Sequence, residues 1–303
     1  MEMLRKTCLL LALLLVAAGC GGPADSEGEL YVFLPRSLDS QYWVDANEGL
    51  EAEAERLNVS AEFLGPTEED PAKQLTFLEE AIAREPAGIA VAADDTEEVR
   101  ETVARAREAG INVVSWVSPL PDGVAAAHVG TDHFAAGEEA AGAMAEELGG
   151  RGRVALLATD LEQPEARQRM DGFRRGLEAR LNVEVVYVGT TGDDLETVPS
   201  KVRFLLQSRP DIDALFGVTG PEARGAAEAV RDRDGCGEVR VAGFTAAPAT
   251  MEQMRAGCVQ LLVSQKPYEM TARALRLLND LESGAEPEDV RVDVNLISPD
   301  SLQ

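Results

Sequence analysis

Tyr42 and Trp43 stand side by side in the stretch LPRSLDSQYW, just after an apolar run, in a chain with only 5% aromatic residues. Two adjacent rings either fill a core or wall a site, and Arg36, Ser37, Asp39 and Ser40 beside them supply donors and acceptors. Comparable groups follow other apolar runs. Ser118 follows INVVSWV, which contains Trp116; Thr219 and Glu222 follow ALFGV; Thr245 follows VRVAGF; Gln265 follows VQLLVS. Arg167 lies near the start of the helical pattern ARQRMDGF, and Arg36, Glu222 and Arg224 are further charged candidates. Aromatic faces mixed with hydrogen-bonding groups are the chemistry of noncovalent recognition. The set lacks a nucleophile with a base beside it.

Motifs for other chemistry are weak. The two histidines, His128 and His133 in HVGTDH, are five residues apart on a predicted loop or hinge, which is not the spacing of a helical zinc pair. GGRGR at 149–153 follows a helix and precedes a strand, the reverse of a phosphate-cradling loop, and reads as a turn. The acidic pairs at 138/139 and 146/147 lie on an amphipathic helix and read as a solvated face. The residues therefore point to a binding protein rather than an enzyme, with no metal and no cofactor.

The elements that must position these groups follow one repeating pattern. Short β-branched runs (LYVFL, VSAEFL, AGIAVAA, INVVSWV) alternate with amphipathic segments (EGLEAEAERL, AKQLTFLEEAIARE, VRETVARAREAG), and the pattern restarts at GRVALLA. Strands of about five residues separated by helices of about twelve predict right-handed βαβ units and parallel sheets. Two doubly wound α/β lobes are the economical solution for 303 residues, of which 45% are apolar. In such sheets ligands sit outside the carboxyl ends of the strands, which is where the groups above cluster. Two sheets facing each other would make a cleft.

Composition sets the surroundings. A formal net charge of −26 repels nucleic-acid phosphates and argues against a DNA- or RNA-binding role. After Arg5 and Lys6 comes CLLLALLLVAAGC, too short for a convincing spanning helix and ending in small residues, as a secretory signal does. It resembles a bacterial lipoprotein leader, which implies residues 1–19 as signal, lipidation of Cys20 and a tether over 20–28; an ordinary cleaved signal is the alternative. Cys236 and Cys258 each precede a predicted strand. If those strands are neighbours, the two could form a disulfide closing a loop of about 20 residues, worth roughly 3 kcal/mol; two buried free thiols are the alternative.

From about residue 29 onward the chain resembles the type I periplasmic sugar-binding proteins, the ribose-binding-like receptors of ABC importers. The resemblance rests on SQYWVDANEGLEAEAERLNV, GTDHFAAGEEAAGAMAEELGGRGRVALL, EARQRMDGF, RPDIDALFG, VRVAGF and LLVSQKPYEM, in that order. It implies two lobes, 29–131 plus 266–290 and 132–265 plus 291–303, joined by a three-segment hinge near 131–133, 264–266 and 290–292. It implies Tyr42 and Trp43 as a stacking pair, Ser40 as their polar neighbour, Arg167 as a guanidinium gripping two oxygens and Gln265 as an amide at the last strand tip. It further implies a lipid-anchored monomer on the outer face of a bacterial membrane that delivers a sugar-like ligand to an ABC permease. The alternative is a sensory receptor that signals to a membrane kinase or chemoreceptor. Where the family usually has an Asp-Arg pair, an Asn-Asp or Asn-Glu pair and a GFD, this chain has Val117-Ser118, Thr219-Gly220 and GFT. Those departures imply a less hydroxylated, deoxy or derivatised sugar.

Overall fold

A computed structural model describes residues 29–302 apart from 181, 193 and 195, so the leader, Cys20 and the tether lie outside the described residues. The first sheet contains β1 (Leu30–Leu34), β2 (Ser60–Phe63), β3 (Gly88–Val91), β4 (Asn112–Trp116), β5 (His128–Thr131) and β11 (Val290–Val292), in the order β11-β5-β4-β3-β1-β2. The second contains β6 (Gly152–Ala158), β7 (Val183–Thr190), β8 (Ala214–Gly217), β9 (Arg240–Phe244), β10 (Leu261–Ser264) and β12 (Asn295–Ile297), in the order β12-β10-β9-β8-β6-β7. The two orders are the same arrangement repeated. All pairings are parallel except β12, an antiparallel edge strand on β10.

Helices cover both faces of each sheet, as the uninterrupted apolar runs of the central strands require. In the first lobe α1 (Gln41–Leu57) and α9 (Pro267–Glu282) pack on one face, and α2 (Pro71–Ala83) and α3 (Glu97–Glu108) on the other. In the second, α4 (His133–Glu147) and α5 (Pro164–Leu177) lie opposite α6 (Val198–Ser208), α7 (Pro221–Arg231) and α8 (Pro248–Arg255). Starts are set locally. The Asp70, Thr96 and Asp132 side chains accept the N–H groups of Lys73, Val99 and Ala135, and proline occupies the first position of α2, α5, α7, α8 and α9.

Two features fix the site's frame. α4 and α5 approach so closely that a Cβ on Gly137 would meet the Arg169 carbonyl, and one on Gly172 the Phe134 carbonyl. The chain also passes between lobes three times: from β5 into α4, from β10 into α9, and from β11 into β12. The third passage lies downstream of the expected 290–292. Val290–Val292 pairs with Val129–Thr131 in the first sheet, and the change comes between Val292, buried in the first core, and Val294, buried in the second. Cys236 and Cys258 are bridged, tying the loop between α7 and β9 to the loop between α8 and β10. Among the described residues no helix is long and apolar enough to cross a membrane.

Candidate functional site

Winding reverses between β1 and β3 in one sheet and between β6 and β8 in the other, which opens a crevice at the carboxyl ends of those strands. The two crevices face each other and enclose a cavity of about 460 Å³. Arg36 follows β1, Asp94 and Asp95 follow β3, and Val117 and Ser118 follow β4; from the second lobe come His133, the first turn of α5 with Arg169, and Thr219 and Gly220 after β8. A smaller cavity of about 250 Å³ adjoins it, lined by Ser40, Tyr42 and Asp45 on one side and Thr245 to Pro248 on the other. Gln265 borders both, and its Nε2 donates to Thr131 Oγ1 at 3.1 Å, joining two of the interlobe passages.

The expected residues divide accordingly. Ser118, Thr219 and Gln265 line the larger cavity; Ser40, Tyr42, Thr245 and Gln265 line the smaller. Trp43, Arg167 and Glu222 line neither. The aromatic pair is split because Trp43 falls on the buried stripe of α1 with Ala46, Leu50 and Ala54, whereas Tyr42 is one step round the helix. Trp43 is 7% exposed and packs on Trp116 with ring centroids 5.2 Å apart. Trp116 is core as well, against Phe33 and Phe63, and its Nε1 has no hydrogen-bond partner among the described residues. Tyr42 meets Trp43 edge to face and donates its hydroxyl to Met270 Sδ at 3.9 Å; burial raises its phenol pKa, with the nearby Arg169 charge opposing.

Arg167 is exposed and paired with Glu162 on the outside of α5. The cleft arginine is Arg169, two residues on. The buried stripe of α5 runs through Ala166, Met170, Phe173 and Leu177, and Arg169 stands within it while Arg167 does not. That apolar spacing is the signal that marks Arg169 in the sequence. Its Nη1 donates to Val218 O at 2.9 Å, its Nε to His133 Nδ1 at 3.3 Å, and its Cζ lies 3.9 Å from the Phe244 ring centroid, a cation–π contact. Burial lowers its pKa to about 10, so the group stays charged at neutral pH. His133, expected on a solvated loop or hinge, is 5% exposed at the start of α4; burial, then the Arg169 charge, push its pKa down to about 3. The neutral ring accepts from Arg169 through Nδ1, which leaves the ring proton on Nε2.

Glu222 is fully buried behind the β8 tip. Its carboxylate accepts from Thr159, Thr191 and Thr219 hydroxyls at 2.9, 3.2 and 2.6 Å and from the Thr219 N–H at 3.2 Å, so it braces the loop that carries Thr219. Ser118 Oγ accepts from Arg36 at 3.2 Å, and Arg36 also pairs with Asp94 at 2.5 Å and Glu69 at 3.3 Å. Arg224 is paired with Glu228 on the surface, away from both cavities.

The lobes also match in their strain. Val117 after β4 has φ 66°, and Thr245 after β9, the equivalent strand, has φ 81°. Their N–H groups make equivalent bonds to Val129 O (2.9 Å) and Val263 O (3.0 Å). A β-branched residue in the left-handed region costs on the order of 1–3 kcal/mol and persists only where its surroundings impose it. Both strained residues line the cleft.

Two doubly wound lobes, three passages between them and polar cavities at their facing strand ends define a two-lobed binding protein. Residues 31–286 match the family model for the periplasmic binding protein domain. The chain belongs to that family, in its type I sugar-binding branch. It is 27% identical over 265 residues to the D-allose-binding periplasmic protein of Escherichia coli K12, covering 84% of this chain and 85% of that one. The solved sugar-binding protein of a sugar ABC transporter from Bacillus halodurans superimposes with a TM-score of 0.85 at 30% identity, covering 90% of this chain and 98% of that one. The solved XylFII-LytSN complex contains a chain that matches with a TM-score of 0.75 at 27% identity, covering 90% of this chain and 99% of that one.

Proposed function

We propose that this chain is an extracytoplasmic receptor that captures a sugar-like solute between its lobes and delivers it to an ABC-type importer, tethered to the outer face of the membrane through lipid on Cys20. The observation that carries the reading is the 460 Å³ cavity, to which both lobes contribute hydrogen-bonding side chains at their switch points. Solute enters while the lobes are apart; contacts to both sides then favour the closed form. Rotation centres on the three passages, which Gln265 to Thr131 and Arg291 to Asp132 (2.8 Å) hold in register. Closure buries the ligand and presents one shape to the permease. Tyr42 offers a ring edge, Ser40, Ser118, Thr219, Thr245 and Gln265 offer hydroxyl and amide partners, and Arg169 offers the charged grip first expected of Arg167.

A thermal-shift screen against sugars, deoxysugars, sugar acids and polyols tests this. A ligand at about 100 times its Kd adds roughly 2.7 kcal/mol and raises the Tm. No shift with any carbohydrate, together with a shift from another solute class, refutes the sugar reading. A second reading, a receptor that hands its closed form to a signalling partner, draws on the similarity to the XylFII-LytSN complex. Binding of the liganded chain to a sensor ectodomain, and no stimulation of a permease ATPase, would favour it.

A further inference from the structure

We propose that the ligand of the larger cavity carries a carboxylate, as a sugar acid does, and that this group docks on Arg169; the proposal rests on the sugar-receptor reading above. Arg169 is 8% exposed, lines the cavity, and has no carboxylate within ion-pair distance among the described residues. A buried cation without a counter-ion is unfavourable unless something supplies the opposite charge. Glu165 and Glu222 offset the guanidinium's charge from a distance, but among the described residues neither forms an ion pair with it. The Arg169 Nε and Nη1 spend their protons on the uncharged acceptors His133 Nδ1 and Val218 O, which leaves Nη2 without an acceptor among the described residues. Glu222, the buried carboxylate nearest in the fold, is bound by three threonine hydroxyls and a backbone N–H instead.

Neighbouring groups agree. Arg169 and His133 present donors, and the start of α5 lines the same cavity with no side-chain cap, so the positive end of a 14-residue helix is turned toward it. The carboxylates on the opposite side are engaged and solvated: Asp94 with Arg36, Asp95 with Arg100 at 3.5 Å, their side chains 51% and 40% exposed. Glu165, which also lines the cavity from the first turn of α5, is half-buried, and its charge acts on Arg169 without forming an ion pair. Asp94 and Asp95 therefore lie at the wet rim and the guanidinium at the dry floor, with Glu165 offsetting part of its charge. A ligand with a carboxylate at one end and hydroxyls along the rest matches that polarity, the anion on the guanidinium and the hydroxyls donating toward Asp94 and Asp95.

The test is calorimetric titration of the whole extracytoplasmic chain with matched pairs, each an aldonate or uronate and its parent neutral sugar. The acid member of at least one pair should bind tenfold or more tightly than its parent, and Arg169→Gln should erase that preference. Raising NaCl from 50 to 500 mM should weaken the acid several-fold and the neutral sugar little; this readout on the unaltered protein does not depend on the variant folding. Tight binding of a neutral sugar with no gain from the carboxylate overturns the charge assignment and leaves the sugar receptor standing. Failure of every member of every pair to bind overturns both.

Discussion

The two walls of the cleft are built alike in backbone and differently in side chains. On the first lobe Trp43, Trp116, Phe33 and Phe63 pack on one another, and Arg36 is shared between Asp94 and Glu69. On the second lobe Arg169 lies over Phe244 with no carboxylate in ion-pair contact among the described residues, beside a histidine held neutral. The first wall has met most of its own needs; the second has bonding capacity left over. Recognition energy comes from groups that the free protein leaves unsatisfied, so a contact satisfied within the chain adds little when ligand arrives. The aromatic residues that draw attention in the sequence chiefly support the site, and the arginine that does not draw attention is its floor.

The sharpest break in this comparison would come from Trp43→Ala. Truncating a core tryptophan should lower stability by about 3–5 kcal/mol in denaturant titration; a small loss of stability with a large loss of affinity would return Trp43 to the cleft. Next is pH. The His133 pKa is about 3 in the folded chain and near 6.5 when unfolded, so below pH 6.5 the unfolded state takes up a proton that the folded state refuses. Stability should therefore be fully present above 6.5 and fall by about 2 kcal/mol on lowering the pH to 5. His133→Gln should flatten that slope; an unchanged slope would mean that the imidazole is not held neutral. The smallest effect separates the walls directly. Thr245→Gly, at an exposed position, should relieve strain and raise stability by up to about 1 kcal/mol, whereas Val117→Gly, which also removes a side chain packed on the first core, should gain less or lose stability. A loss of stability at Thr245 would show that its backbone is not strained.

The fold was legible because strand and helix periodicities are strong and repeat, and because residues after strands must lie at carboxyl ends. Which side chain points into the cleft depends on finer geometry. A helix turns 100° per residue, so Tyr42 and Trp43, or Arg167 and Arg169, part company over one or two positions. The apolar stripe of α5 would have separated the arginines; its proximity to the strand end favoured the earlier one instead. His133 was hidden for another reason: its burial comes from the close approach of α4 and α5 at Gly137 and Gly172, a tertiary contact that no local pattern announces. The third passage shifted because Val292 and Val294 alternate between two cores, whereas the sequence shows only a short alternating run.

The central claim is that binding is anchored on Arg169 in the second wall. Its most direct test is the affinity of Arg169→Ala and Arg167→Ala for whichever carbohydrate raises the Tm of the unaltered chain, with circular dichroism confirming that both variants fold. Arg169→Ala should weaken binding by about 100-fold, in the range for a buried charged hydrogen-bond donor, and Arg167→Ala by less than twofold. Equal losses, or a larger loss at Arg167, would contradict the account.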